Sequence, residues 1–245
     1  MSSQEKLDML LSDVNYYGEY GKQFLSNSDI DALLNDPASF QEPRPETFEF
    51  KFGKAFHELI MFGDTEHTDV VVDASTRTTK IYKEKVQEEG HELFLTKDYD
   101  QLMYIVDKVH ANAEVNELVL GNKVKYEVPA IGRLFSEEVE WKGKADIVHS
   151  DLIVDLKTTS NIKGFAKSVR MYNYDSQAYI YSTLFDRPMK FVAVDKNTGV
   201  AGIFDVSDFT LLDGKSKAEI AEENYIKYIL KKTDSIENHT IYGTV

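Results

Sequence analysis

Two stretches of alternating side chains carry charges where strands built only for packing would carry none. Gly143-Lys144-Ala145-Asp146-Ile147-Val148 and Ile153-Val154-Asp155-Leu156-Lys157-Thr158 are separated by a tight turn at His149, Ser150 and Asp151, which predicts a hairpin. In a strand, Asp155 and Lys157 share one face while Val154 and Leu156 share the other. Burying a carboxylate and an ammonium there without partners is costly. Asp146 can meet Asp155 across the hairpin, and two carboxylates brought together repel unless a cation lies between them. Mg2+ uses one or two carboxylates with waters and phosphate oxygens. Lys157 would then stand beside the metal-bound water, to orient it or to stabilise charge growing on phosphorus. An isolated Asp-x-Lys is usually a surface ion pair, but the apolar flanks of Asp155 and the Gly-Lys-Ala-Asp strand argue for a site.

The rest of the chain supplies the frame. Residues 123–128, 138–148 and 151–157 read as three strands. Residues 190–194 and 200–206 form a second hairpin around Asn197-Thr198-Gly199. Ser28 and Asp31 fit a capping box ahead of a short helix that Pro37 closes. Ala55, Phe56, Leu59 and Ile60 recur at helical spacing over 54–62, with His57 on a flanking face. Thr96 or Asp98 caps a helix running to Leu118, and further helices are predicted over 168–185, ended by Arg187-Pro188, and over 215–232. The 245 residues thus suggest one α/β domain at 28–232, a mixed central sheet flanked by helices. A partly ordered segment at 1–27 precedes it and a loose tail at 233–245 follows.

Taken together, these residues resemble the PD-(D/E)xK nuclease superfamily, with Asp146 and Asp155-Leu156-Lys157 as its central motif. Other segments are similar to the RecE-like exonucleases of phages and prophages, the exonuclease VIII nuclease domain. Leu25 to Ile30 with Asp36-Pro37 and Phe40 resembles that family's opening helix. Phe52 to Leu59 resembles its Gly-x-Ala-x-His helix, and Tyr172 to Tyr181 its Gln-x-x-x-Tyr helix. The resemblance covers residues 25–205 and implies a PD-(D/E)xK (restriction-endonuclease-like) core. It implies that His57, Asp146, Asp155 and the Leu156 carbonyl bind one or two Mg2+ or Mn2+ ions, and that Lys157 is catalytic. A fourth carboxylate is expected upstream, at Glu127, with Glu138 and Glu140 as alternatives. Gln177 and Tyr181, four residues apart, share one helix face beside the catalytic centre. Lys163, Lys167 and Arg170, interleaved with Phe165 and Tyr172, suit a phosphate backbone with a base to stack on. The other histidines, His67, His91, His110, His149 and His239, have no motif context and are read as surface residues.

The resemblance further implies a processive 5′-to-3′ exonuclease on double-stranded DNA ends that leaves 3′ single-stranded tails for recombination. Its partners would be a single-strand annealing protein and copies of itself in a ring. A structure-specific or single-strand nuclease, and a non-catalytic DNA-binding subunit, are the alternatives. The absence of cysteine excludes thiolate metal sites, disulfides and a cysteine nucleophile. No apolar run is long enough for a membrane span and no secretory signal is visible at the start, so a cytoplasmic location is expected. Against DNA stands the charge: 42 acidic and 28 basic side chains leave −14. Lys54, Lys142, Lys144, Lys157, Lys163, Lys167 and Arg170 cluster near the proposed site, which predicts a locally basic groove on an acidic body.

Overall fold

The structure is a computed structural model that describes residues 1–43 and 45–241. The main sheet has five strands in chain order: β3 (Lys125–Gly132), β4 (Trp141–Val148), β5 (Ile153–Thr159), β6 (Met189–Asp195) and β7 (Ala201–Asp205). β5 and β6 are parallel and the other pairs antiparallel. The central strands are buried on both faces, so each apolar alternation serves a different layer of helices. Val154, Leu156, Val192 and Val194 pack under α4 (Phe48–Phe62), α6 (Thr96–Ala111) and α7 (Ala113–Leu120). Ile153, Phe191 and Ala193 pack under α3 (Ile30–Asn35), α8 (Phe165–Met171), α9 (Tyr174–Phe185) and α10 (Asp208–Asn224). The α/β architecture with a mixed sheet flanked by helices is therefore as expected.

Several boundaries move for local reasons. The capping box forms two residues earlier than expected: Asp29 Oδ2 accepts from Ser26 N at 2.8 Å and from Ser26 Oγ at 2.7 Å. The single helix expected to reach Leu118 breaks at Asn112, whose side chain caps α7 by accepting from Val115 N at 3.2 Å. That expected over 168–185 breaks at Asn173, which adopts a left-handed φ of 56°. Lys217 of α10 fixes this break by donating to Arg170 O and Asn173 Oδ1, both at 2.9 Å. Residues 64–98, without an assigned element in the sequence reading, fold as α5 (Lys80–Glu89) beside a two-stranded parallel sheet, β1 (Val71–Val72) and β2 (Phe94–Leu95).

The opening segment, expected to be partly ordered, instead forms α1 (Ser3–Leu10) and α2 (Asp13–Tyr17), which pin Leu10, Tyr16 and Phe24 into a small core. Its signal was legible: Ser2 and Glu5 form a capping box. In the tail expected to be loose, a turn spans Ile236–Asn238 and His239 Nε2 lies 2.9 Å from Leu34 O; residues 242–245 lie outside the described residues. No helix among the described residues is long and apolar enough to cross a membrane.

Two contacts lock α10 in place, one onto α9 and one onto the sheet. Gly214 comes so close to α9 that a β-carbon there would lie 2.0 Å from Asp175 O. Trp141 Nε1 donates to Glu222 Oε2 at 2.6 Å, and both residues are buried. Glu222→Ala should therefore cost roughly 2–4 kcal/mol in urea denaturation, because it strands a buried indole N–H and opens a cavity. Unchanged stability would show that this bond contributes little to holding β4.

Candidate active site

The site forms where β4 and β5 part. Their ladder holds the pairs Ile147↔Val154 and Val148↔Ile153, and one step further the register sets Asp146 opposite Asp155. There the strands separate, and Asp146 Oδ2 accepts from Leu156 N at 2.8 Å in place of a ladder bond. On the other side of β4, the pairs Tyr126↔Ile147 and Val128↔Ala145 set Glu127 opposite Asp146. Glu127 has a left-handed φ of 51°, strained for a residue with a side chain. Around this point β4 changes layers: Ala145 packs under α9 and Ile147 under α4, although an even alternation would put both on one face. Strict period-2 reading cannot anticipate such a switch.

The gap between strands lets both helical layers reach the carboxylates. From α4, His57 Nδ1 approaches Asp146 Oδ2 to 3.5 Å. From α9, Gln177 Nε2 donates to Asp155 Oδ1 at 2.6 Å. Asp155 Oδ2 is buried without a hydrogen-bond partner and lies in an ion pair with Lys157 Nζ. The Lys157 ammonium also sits 4.8 Å from the Tyr174 ring. Tyr181 is buried; its hydroxyl accepts from Lys144 N at 3.3 Å, and its ring occupies the space that a β-carbon on Gly143 would take, 2.8 Å away. Gln177 thus touches a site carboxylate, whereas Tyr181 supports the backbone of β4.

Electrostatics mark the cluster as short of positive charge. Burial pushes the Asp155 carboxyl up to about 6, with Lys157 pulling against it and Asp146 adding to it. Burial also raises Asp146, against the pull of Lys157 and the Leu156 N–H. Glu127 rises to about 7 through burial and the charge of Asp146, with Lys144 opposing. His57 is held down at about 4 by burial and then by Lys157, so it is neutral near pH 7 and free to ligate. Burial pulls on Lys157 most, yet Asp155 and Asp146 together keep its ammonium above the ordinary lysine range. Among the described residues, no three His, Asp or Glu side chains are gathered tightly enough to hold an ion as they stand, since both oxygens of Asp155 already face Gln177 and Lys157. The donor set nevertheless suits a hard divalent cation: the carboxylate oxygens of Asp146, Asp155 and Glu127 and one neutral imidazole.

Of the alternatives to Glu127, Glu138 pairs with Lys231 at 2.7 Å and Glu140 with Lys6 at 2.5 Å, so neither faces Asp146. Two expected basic contacts are corrected. Lys142 and Lys144 are buried, Lys142 donating to Tyr16 O at 2.5 Å, and Lys144 pairing with Asp13 and, at 3.7 Å, with Glu127. Lys144 is thus a counter-ion inside the cluster, a role hidden because its partners lie on α2 and β3. Lys163, Lys167 and Tyr172 are exposed. Arg170 is exposed too, but pairs with Asp213 at 3.3 Å and lies 5.0 Å from the Phe209 ring. Among the remaining histidines, His67 lies 3.5 Å from Glu58, His91 3.0 Å from Lys51 Nζ, and His149 Nε2 2.7 Å from Leu118 O. His91 is exposed, as expected of a surface residue, whereas His67 and His149 are half-buried and tied into the fold.

Comparison with known proteins gives one family and a set of similar folds. The profile of a family described as a PDDEXK-like domain of unknown function (DUF3799) matches residues 22–236. The structure resembles that of a candidate exonuclease from Eubacterium rectale, with a TM-score of 0.66 and 16% identity over 96% of this chain and 95% of that one. A phage related exonuclease from Haemophilus somnus aligns with a TM-score of 0.32 and 16% identity, over 73% of this chain and 94% of its own. No curated protein is a detectable relative.

The raised Glu127 carboxyl leads to a test independent of any reaction. Above pH 7 the folded chain carries this charge at a cost that the unfolded chain does not bear; as pH falls from about 7 to 4.5 the cost is relieved. In chelator, Glu127→Gln should raise Tm at pH 8 by roughly 2–4 °C, about 1 kcal/mol after allowance for a half-exposed group. The gain should fade towards pH 5. A variant that melts lower at pH 8 would show that the pairing with Lys144 outweighs burial.

Proposed function

Because the chain belongs to the PDDEXK-like DUF3799 family, we propose that it is a metal-dependent nuclease that hydrolyses phosphodiester bonds. The observation that carries this reading is the gap between β4 and β5, where Asp146, Asp155, Lys157 and His57 meet with Glu127 beside them. His57, Asp146, Asp155, the Leu156 carbonyl and Glu127 would hold Mg2+ or Mn2+. When bound, such an ion makes a coordinated water more acidic and offsets negative charge on phosphate oxygens. Asp155 is oriented by Gln177, and Asp146 by the Leu156 N–H, which hold the two carboxylates side by side. Lys157 keeps its proton, and its ammonium faces the place where charge grows on the phosphoryl group. Tyr172, which meets Tyr174 over Lys157, and the exposed Lys163 and Lys167 suit a nucleic-acid strand.

The substrate we favour is double-stranded DNA, degraded 5′ to 3′ from its ends to leave 3′ tails. This choice, and with it a ring of copies and an annealing partner, is supported by the resemblance of residues 25–205 to the RecE-like exonucleases.

On purified protein with Mg2+, Asp155→Ala and Lys157→Ala should each lower cleavage by on the order of 10²-fold or more while the fold survives. Full activity in either would remove the assignment. Chelator should abolish cleavage, and Mg2+ or Mn2+ should restore it; cleavage persisting in chelator would rule the mechanism out. Digestion of linear duplex labelled at one end or the other, beside closed-circular and single-stranded DNA, checks polarity and substrate. Release of the 5′ label first, with the closed circle intact, is the expected result.

A further inference from the structure

The reading above uses α2 only through Asp13, which holds Lys144, and α2 lies outside the stretch matched by the family profile. It sits at the Glu127 end of the carboxylate row. The ring of buried Tyr16 meets Tyr17 edge-on, with centroids 4.9 Å apart and planes at 73°. The Lys144 ammonium lies 5.2 Å from the Tyr17 ring, and Asp13 and Glu127 hold that ammonium in turn. Tyr17 is therefore supported from beneath by a site residue, yet the residue is 65% exposed. Burial, with the charges of Glu127, Asp13 and Asp146 adding to it, holds its hydroxyl above the ordinary phenol range, in keeping with a place beside the carboxylates.

At the opposite end, Tyr174 covers Lys157 and meets exposed Tyr172 at 5.9 Å. Since the strands run β3-β4-β5 in the sheet, Glu127 and Lys157 end the row on opposite sides. Solvent-open tyrosines stand at both ends. A strand whose phosphate lay over Asp146 and Asp155 would carry its neighbouring nucleotides towards these rings.

Resting on the nuclease reading, we propose that Tyr17 is a substrate-positioning residue whose open ring face stacks a nucleobase flanking the phosphodiester to be cut, on the Glu127 side. Stacking needs only the π-face that every base presents, so it holds a strand without selecting sequence. Its Lys144 support ties the strand's position to Glu127.

The test is steady-state cleavage of linear duplex with Mg2+ by wild type and by Tyr17→Ala, Tyr17→Leu and Tyr17→Phe, with melting curves for each. Tyr17→Ala and Tyr17→Leu should raise KM about 5- to 100-fold, the range expected for one lost base stack, with kcat within about twofold. Tyr17→Phe should match wild type, and a substrate abasic at the flanking position should erase the difference between wild type and Tyr17→Ala. Wild-type KM in Tyr17→Leu overturns the inference, because the apolar bulk would then suffice without a ring. Tyr17→Phe as impaired as Tyr17→Ala overturns it too, since the hydroxyl would then be the active group. A change in oligomeric state without a change in KM would assign the residue to contact between copies instead. If wild type leaves every DNA uncut, the nuclease reading falls and takes this inference with it; if wild type cuts and Tyr17→Ala has wild-type KM, the inference falls alone.

Discussion

The structure depends on how one strand pair is allowed to come apart. β4 and β5 stay hydrogen-bonded for two residue pairs and then diverge, and the Asp146 carboxylate accepts the Leu156 N–H that the ladder gives up. A buried backbone donor left without a partner costs about as much as a lost hydrogen bond, so the aspartate stabilises the divergence that makes room for the site. The separation brings α4 and α9, which cover opposite faces of the sheet, within reach of adjacent carboxylates. His57 meets Asp146 from one layer and Gln177 meets Asp155 from the other. An evenly paired sheet would keep those two helices apart.

The charge of the chain takes on a different meaning in this setting. A formal −14 argues against a polyanionic partner only if it describes the surface that the partner meets. Three of the acidic groups are the site itself, and all three are pushed towards their neutral forms by burial. The basic side of the ledger also shrinks, because Lys142 and Lys144 are buried and paired. Of the lysines expected to form the groove, Lys163 and Lys167 are exposed and Lys54, on the helix that carries His57, is half-exposed. The expected basic groove thus draws on fewer side chains than a count of nearby lysines suggests.

Much of the frame was legible because it rests on local rules. Alternation marked β4 and β5, helical spacing marked the face of α4 that carries Ala55, Phe56 and Ile60, and the four-residue spacing put Gln177 and Tyr181 on one face of α9. The breaks at Asn112 and Asn173 were missed because side-chain caps and a lysine from α10 decide them, not the apolar pattern. The opening segment was underestimated because its apolar residues follow no clear period, although Ser2 and Glu5 mark a helix start. Leu10, Tyr16 and Phe24 gain their burial from one another and from the nearby edge of the sheet.

The sequence by itself determined the α/β class, the mixed sheet, and an Asp-x-Lys strand facing a second aspartate, since the period-2 pattern assigns each side chain to a face without reference to distant residues. Only the tertiary structure decided which groups complete the cluster. Glu127 reaches Asp146 through a left-handed backbone that no residue type announces, Lys144 turns inward because Asp13 and Glu127 meet it there, and Tyr181 fits because Gly143 leaves it space. Each depends on contact between elements far apart in the chain. Charge and space at a point in the fold belong to all the elements that surround it, and no stretch of sequence contains them.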